Sequence, residues 1–117
     1  TTKVRLTEFA TYEREMLGVV ELPQTGMSVI ELRPEVNGYL GLDEGAEGVL
    51  IYEVHPDSPA RRAGLIAQDR LLRVGGREIE HSEELASIFA RSNSRNGVTV
   101  EVARGNRQGR TTLYPER

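Results

Sequence analysis

The sequence predicts an α+β domain: a small, partly open antiparallel β-barrel or sandwich of five to six strands, capped by two short helices and preceded by a β-rich extension. Three observations predict it. Short runs of β-branched and apolar residues recur along the chain, turn-forming glycines separate them, and two segments carry a helix cap or one apolar helical face. Short strands mixed with short helices pack as a sheet that the helices close at its ends.

Composition restricts the class of protein. The 117 residues, 38% of them hydrophobic, suffice for one core, and the net charge of −3 argues against a surface that neutralises nucleic-acid phosphates. Without cysteine there is no disulfide, thiolate metal site or cysteine nucleophile. No apolar run approaches the roughly 20 residues of a membrane span, so we expect no direct membrane insertion. Because the chain begins at Thr1 rather than Met, we expect a piece of a longer polypeptide.

The first residues are open to two interpretations. We predict a strand over residues 3–9, because apolar and polar side chains alternate there. A helix is the alternative, since Phe9, Tyr12 and Met16 follow helical spacing and Gly18 can stop a helix.

A hairpin follows the first residues. Residues 17–22 and 28–32 are β-rich runs, and the proline and glycine of residues 23–26 give a connecting loop of about four or five residues. A second cluster of proline, asparagine and glycine then divides the chain into an extension, residues 1–36, and a main domain, residues 37–117. The extension partly completes the main domain, with its 28–32 run as the candidate strand.

The main domain begins with a buried strand and a capped helix. Residues 48–54 are almost entirely apolar, as in a buried strand. Ser58 can cap a short helix, Pro59 suits its first position, and Gly64 can end it.

The remaining elements alternate between strands and one longer helix. Gly75 and Gly76 suit a tight turn, and Ser82 can cap a helix that begins with two glutamates. The predicted elements are strands over residues 70–74, 77–79, 98–103 and 110–114, and a helix over residues 82–91.

Four blocks of sequence, in this order and spacing, resemble a PDZ domain of the bacterial type. They are Gly38-Tyr39-Leu40-Gly41-Leu42, then Val54-His55-Pro56-Asp57-Ser58-Pro59-Ala60, then Ala63-Gly64-Leu65 followed by Asp69, and Leu72-Arg73-Val74-Gly75-Gly76. The resemblance covers residues 38–114. This segment is similar to the PDZ modules attached to HtrA-like serine proteases, site-two metalloproteases and carboxy-terminal processing proteases. Gln68 departs from the pattern, because a glycine is usual before Asp69.

The resemblance implies a module that recognises the C-terminus of a protein substrate or regulator by β-strand addition. Backbone amides would donate hydrogen bonds to the terminal carboxylate. The donors would be the amides of Leu40, Gly41 and Leu42, and the groove strand would start at Leu42. The side chains of the helix opposite would select the ligand. The predicted peptide-binding residues are Tyr39, Leu40, Gly41, Leu42, Asp43, Glu44, Leu85, Ile88 and Phe89.

The acidic residues Asp43 and Glu44 predict a ligand that ends in apolar residues and carries neutral or basic ones a few positions earlier. A structural docking module is the alternative function, in which residues 1–36 cover the groove or the domain packs against a neighbouring domain of its parent protein.

We expect no catalytic residue, metal ligand or cofactor. His55 and His81 head no metal-binding motif, and helix capping explains Ser58. By resemblance, the parent protein would be a protease of the bacterial cell envelope or periplasm.

Overall fold

The computed structural model describes residues 6–91 and 95–115, and side chains from Tyr12 onward. The elements are α1 Leu6–Leu17, β1 Val20–Leu22, β2 Met27–Glu31, α2 Pro34–Leu40, β3 Val49–Val54, α3 Pro59–Arg62, β4 Arg70–Val74, β5 Arg77–Glu78, α4 Glu83–Arg91, β6 Val98–Arg104 and β7 Arg107–Leu113. The seven strands of these described residues form one antiparallel sheet in the order β1-β2-β3-β4-β6-β7, with β5 paired to β4. This open sheet with short helices confirms the predicted fold class.

The first segment is a helix, so the strand predicted over residues 3–9 is wrong where the structure describes it; residues 3–5 lie outside the described residues. Helix α1 ends at Leu17, whose side chain is buried against the sheet, and Gly18 follows with φ +67°. Local alternation near the start of the chain was outweighed by the burial of this last helical turn.

Residues 34–40 are also helical, and no strand begins at Leu42; that expectation is wrong. Pro34 occupies the first turn, where its missing N–H costs nothing. Val36 and Leu40 lie one turn apart and pack against the sheet. Gly41 then ends α2 in the left-handed conformation, with φ +73°.

The sheet has a hydrophobic cluster on each face. Alternate residues of β2 belong to different clusters, with Met27 and Val29 on one face and Ile30 on the other. The first cluster contains Leu85 and Phe89 of α4. The second contains Leu17, Ile30, Leu32 and Val36, with Leu40 packed against it.

The structure confirms the predicted hairpin, the Ser58 cap and the Gly75–Gly76 turn, whereas the hydroxyl of Ser82, the other predicted cap, donates to Glu31 Oε1 at 3.3 Å. Strands β1 and β2 form the hairpin, with residues 23–26 between them. Ser58 accepts a hydrogen bond from the Arg61 amide at the start of α3. Gly75 and Gly76 make the β4–β5 turn with φ values of +62° and +83°.

Candidate functional site

Strand β2 and helix α4 are joined at one end through Glu31. The Ser82 amide donates to Glu31 Oε1 at 2.8 Å, and His81 Nδ1 lies 3.4 Å from Glu31 Oε2. Because Glu31 ends β2 and Ser82 precedes α4, these contacts fix the relative position of the two elements.

The other end of β2 begins at a sharp turn, residues 23–26, here called the entry turn. Three donors of this turn converge on one oxygen, the carbonyl of Leu22: the Thr25 amide at 2.9 Å, the Gly26 amide at 3.1 Å and the Thr25 hydroxyl at 2.8 Å. The Met27 amide donates to Thr25 Oγ1 at 3.2 Å. A concave set of amide and hydroxyl donors of this kind suits an anionic oxygen.

Packing against α3 holds the entry turn in this orientation. The carbonyl of Thr25 accepts from the Ala60 amide at 2.9 Å, and that of Gly26 accepts from the His55 amide at 2.8 Å. Because the carbonyl of Thr25 and the amide of Gly26 belong to one peptide group and point in opposite directions, the bond to Ala60 turns the Gly26 amide away from α3. Gly26 has φ +75°, and a Cβ built on it would lie 2.1 Å from the Ser58 Cβ, so no other residue fits there without rearrangement.

The predicted carboxylate donors lie at the end of a helix. Leu40 lies in the last turn of α2, and the amides of Gly41 and Leu42 both donate to the carbonyl of Asn37, the latter at 2.8 Å. The next strand, β3, begins only at Val49, so these amides do not lie at the start of a groove strand. The donor role of Leu40, Gly41 and Leu42 stays a prediction.

The predicted residues fall on two faces of the sheet. Leu40 packs against the second cluster, on the face of the sheet that α2 covers. Leu85 and Phe89 are buried in the first cluster, on the opposite face, and Ile88 packs at its margin. Tyr39 is exposed, and its hydroxyl donates to Glu13 Oε1 of α1 at 3.3 Å.

Exposed Asp43 and Glu44 follow α2, in a loop held by Asn37 Nδ2, which donates to the Glu44 and Ala46 carbonyls. A peptide contact by Tyr39, Asp43 and Glu44 stays a prediction, and the geometry favours the entry turn.

Sequence reasoning missed Thr25, Gly26 and Met27 as the candidate site. The signal was present: glycine directly precedes the β-rich run that becomes β2. Pro34 and Gly41, seven residues apart, also fit the first turn and the end of a short helix, which would have removed the Leu40–Gly41–Leu42 segment from consideration.

The groups at the start of α4 carry shifted pKa values. Hydrogen bonding to the Ser82 amide lowers the pKa of Glu31, while hydrogen bonding to Glu31 raises the pKa of His81. Glu84 Oε2 accepts from the His81 and Glu80 amides, which lowers the pKa of Glu84. The carboxylates of Glu31 and Glu84 are thus held in the charged form.

Within residues 6–91 and 95–115, no group of three or more His, Asp or Glu residues is placed to hold a metal ion. Ser58 Oγ donates to the His55 carbonyl at 2.8 Å and accepts from α3, so both of its hydrogen-bonding roles are structural. Among the described helices, none has the length and apolar character needed to cross a membrane.

Comparison with known proteins supplies the family. A family model described as "PDZ domain" matches residues 23–113. Over 91 residues the chain is 37% identical to a serine protease Do-like HtrA of Bacillus subtilis, which covers 73% of this chain and 20% of that protein. It is 34% identical to a probable periplasmic serine endoprotease DegP-like of Marinomonas, over 78% of this chain and 19% of that protein. The chain thus spans about a fifth of these relatives.

Two solved structures share the fold. The HtrA3 PDZ domain bound to a phage-derived ligand (FGRWV) has a TM-score of 0.67 at 27% identity, covering 79% of this chain and 83% of that one. The HtrA-type protease AlgW with decapeptide has a TM-score of 0.67 at 23% identity, covering 94% of this chain and 34% of that one, a likeness of fold alone.

Proposed function

Since this chain belongs to the PDZ domain family, we propose that it binds the free C-terminus of another polypeptide, with the entry turn as its carboxylate site. The observation that carries this proposal is the convergence of the Thr25 amide, the Gly26 amide and the Thr25 hydroxyl on a single oxygen atom. A terminal carboxylate in place of that oxygen would receive charge-assisted hydrogen bonds from the same donors.

The peptide would run antiparallel to β2, with its last residue at Met27 and its earlier residues passing Glu31. Its last side chain would then face the cluster that contains Met27, Val29 and Phe89, which favours an apolar residue. Backbone hydrogen bonds to β2 would supply affinity that is independent of sequence. The likeness to the HtrA3 PDZ domain, which was solved with a bound phage-derived ligand, supports peptide binding by this domain.

In the parent protein, we assign the domain the substrate-binding or regulatory role of a bacterial protease, located in the cell envelope. The similarity to serine proteases, one of them named as periplasmic, supports this assignment. The domain itself is the non-catalytic part. A docking module with a covered groove is the second candidate, favoured by the pairing of β1 with β2.

Two matched peptides test carboxylate recognition. Each is a labelled decapeptide with apolar final residues, one ending in a free carboxylate and the other in a carboxamide, titrated into the chain by fluorescence anisotropy. Because a charge-assisted hydrogen bond contributes about 1.5–3 kcal/mol, we expect the carboxylate peptide to bind at least about tenfold more tightly. Equal dissociation constants for the two peptides would contradict the proposal.

A further inference from the structure

Strand β1 occupies the edge of β2 along which a ligand would add. Strand β3 takes one edge of β2, and β1 pairs with the other, matching Val20 with Val29, Glu21 with Ser28 and Leu22 with Met27. A strand has only two hydrogen-bonding edges, so β2 has no edge left over residues 27–29.

The direction of β1 is also that of the proposed ligand. It runs antiparallel to β2 and ends beside Met27, next to the entry turn. Paired residues of an antiparallel ladder project to the same face, so Val20 and Leu22 face the α4 side with Val29 and Met27, whereas Glu21 faces away. Leu22 is only 1% exposed and belongs to the cluster that contains Leu85 and Phe89, and the partly buried Val20 packs against that cluster.

The last carbonyl of β1 lies where the ligand's carboxylate would lie. The Leu22 oxygen receives both entry-turn amides and the Thr25 hydroxyl, so these donors are engaged from within the chain. The segment Val20-Glu21-Leu22 thus reproduces three features of the expected ligand: its strand direction, its alternate apolar side chains and an oxygen at the donor site.

Helix α1 holds β1 in this position. Arg14 forms ion pairs with Glu21 of β1 and with Glu53 of β3, and so bridges across β2. Its guanidinium also lies 5.9 Å from the ring centroid of Tyr52. These partners are partly exposed, so the bridge adds modestly to the attachment of β1 and can be released without disrupting the core.

We infer that Val20-Glu21-Leu22 is an internal ligand that closes the groove, and that an incoming peptide with a free carboxylate, an apolar last residue and an apolar third-from-last residue displaces it. This inference rests on the proposed function and adds its regulation and its ligand pattern. The apparent dissociation constant then equals the intrinsic one divided by the fraction of molecules in which β1 has left the groove.

A reversible disulfide between β1 and β2 tests the inference. Glu21 and Ser28 lie directly opposite each other, and opposed residues of an antiparallel pair have Cα separations within the disulfide range. The double variant Glu21→Cys/Ser28→Cys has no other cysteine, so only one intramolecular bridge forms. The probe is a labelled decapeptide that ends in Val-Glu-Leu with a free carboxylate, and its carboxamide is the control. Far-UV circular dichroism checks that both forms are folded.

We expect the reduced variant to bind the carboxylate peptide at least about tenfold more tightly than the oxidised variant, in which β1 cannot leave. If both forms bind it equally and both prefer it to the carboxamide, the internal-ligand inference fails while the proposed function stands. If neither form binds it in preference to the carboxamide, the proposed function fails and the inference fails with it.

Point variants test the bridge without cysteine. Arg14→Gln removes both ion pairs to β1 and β3, and we expect it to tighten peptide binding roughly two- to tenfold. Arg73→Gln is the matched control, because Arg73 also faces two glutamates, Glu78 and Glu101, on strands distant from β1. Equal binding by the two variants would overturn the role of Arg14.

Discussion

Gly26 and Gly41 have almost the same backbone conformation, with φ of +75° and +73°, but different surroundings. Gly26 lies against Ser58, whereas a Cβ built on Gly41 meets nothing within 4 Å. Gly41 ends a helix, and its amide is used by that helix; Gly26 directs the amides of the entry turn toward the Leu22 oxygen. Two residues that look equivalent in the sequence therefore differ in structural role because their neighbours differ.

Alanine at these two glycines measures the difference. Gly26→Ala is destabilised both by the strain of an alanine in the left-handed conformation and by the overlap of its Cβ with Ser58. We therefore expect the free energy of unfolding to fall by about 2–5 kcal/mol. Gly41→Ala is the matched control. Its Cβ would have no neighbour within 4 Å, so only the strain of the left-handed backbone lowers the free energy of unfolding, by about 1 kcal/mol. Urea denaturation of both variants gives the comparison, and equal losses would argue against the packing of Gly26 on Ser58.

Gln68, which departs from the family pattern, adopts a left-handed backbone. It has φ +77°, a conformation that glycine adopts freely, and its amide donates to the Ile51 carbonyl at 2.8 Å. The adjacent Asp69 is fully buried and forms a two-pronged pair with Arg104, at 2.7 Å and 2.8 Å. These contacts hold the turn in a shape that glutamine adopts at a conformational cost.

At the scale of elements, the junction of β2 and α4 depends on charge. Glu31 accepts from the Ser82 amide and faces His81, so the junction contains one anion and one cation when both groups are ionised. The lowered pKa of Glu31 adds stability above its usual value of 4.5, which is lost as the pH falls through the lowered value. The raised pKa of His81 adds stability below its usual value of 6.5, which is lost as the pH rises through the raised value. Both contributions are fully present between these two usual values.

Removal of the Glu31 charge tests this junction. In Glu31→Gln, we expect the pKa of His81 to move down toward its usual value, because the largest cause of its rise is the hydrogen bond to Glu31. The measurement is an NMR titration of the His81 ring protons. Glu78→Gln, which alters an exposed carboxylate on β5 beside Arg73, is the control and should leave the His81 titration unchanged. An unchanged His81 titration in Glu31→Gln would contradict the contact.

For the molecule as a whole, the face proposed to receive a ligand is acidic at one end. A peptide along β2 with its carboxylate at the entry turn would pass Glu31 and the start of α4, where Glu80, Glu83 and Glu84 lie. From Asp43 and Glu44, the sequence predicts neutral or basic residues a few positions before the ligand's C-terminus. The preference remains a prediction, now attributed to the glutamates at the start of α4.

Charge-swapped peptides test this preference. Of two carboxylate-ending decapeptides that differ only by Lys or Glu at the fourth and fifth positions from the end, we expect the Lys peptide to bind roughly two- to tenfold more tightly. The difference should shrink as the salt concentration rises from about 0.05 to 0.5 M, because exposed charges are screened. Tighter binding of the Glu peptide would refute the acidic-end prediction.

Local sequence signals predicted most of the elements. Proline and glycine predicted the hairpin turn, and Ser58 with Pro59 predicted the start of α3. The alternation of Val98, Val100 and Val102 with polar residues predicted β6. The errors fell on segments where two local signals competed. Helix α1 carries both alternation and helical spacing, and residues 34–42 combine a family-like glycine with a helix start at Pro34.

The sequence by itself determined the family, the antiparallel β architecture, the turns and the absence of cysteine chemistry, because proline, glycine, capping residues and apolar spacing act within a few positions of the chain. Only the tertiary structure distinguished Gly26, which lies in the proposed carboxylate site, from Gly41, which ends a helix. That distinction depends on long-range contacts: Gly26 against Ser58, Glu31 against Ser82, and Arg14 with Glu53. Contacts between residues roughly 30 to 50 positions apart leave no periodic signal in a single sequence. Local signals predicted the hairpin of β1 and β2, but only the folded chain shows that β1 takes the edge of β2 opposite β3.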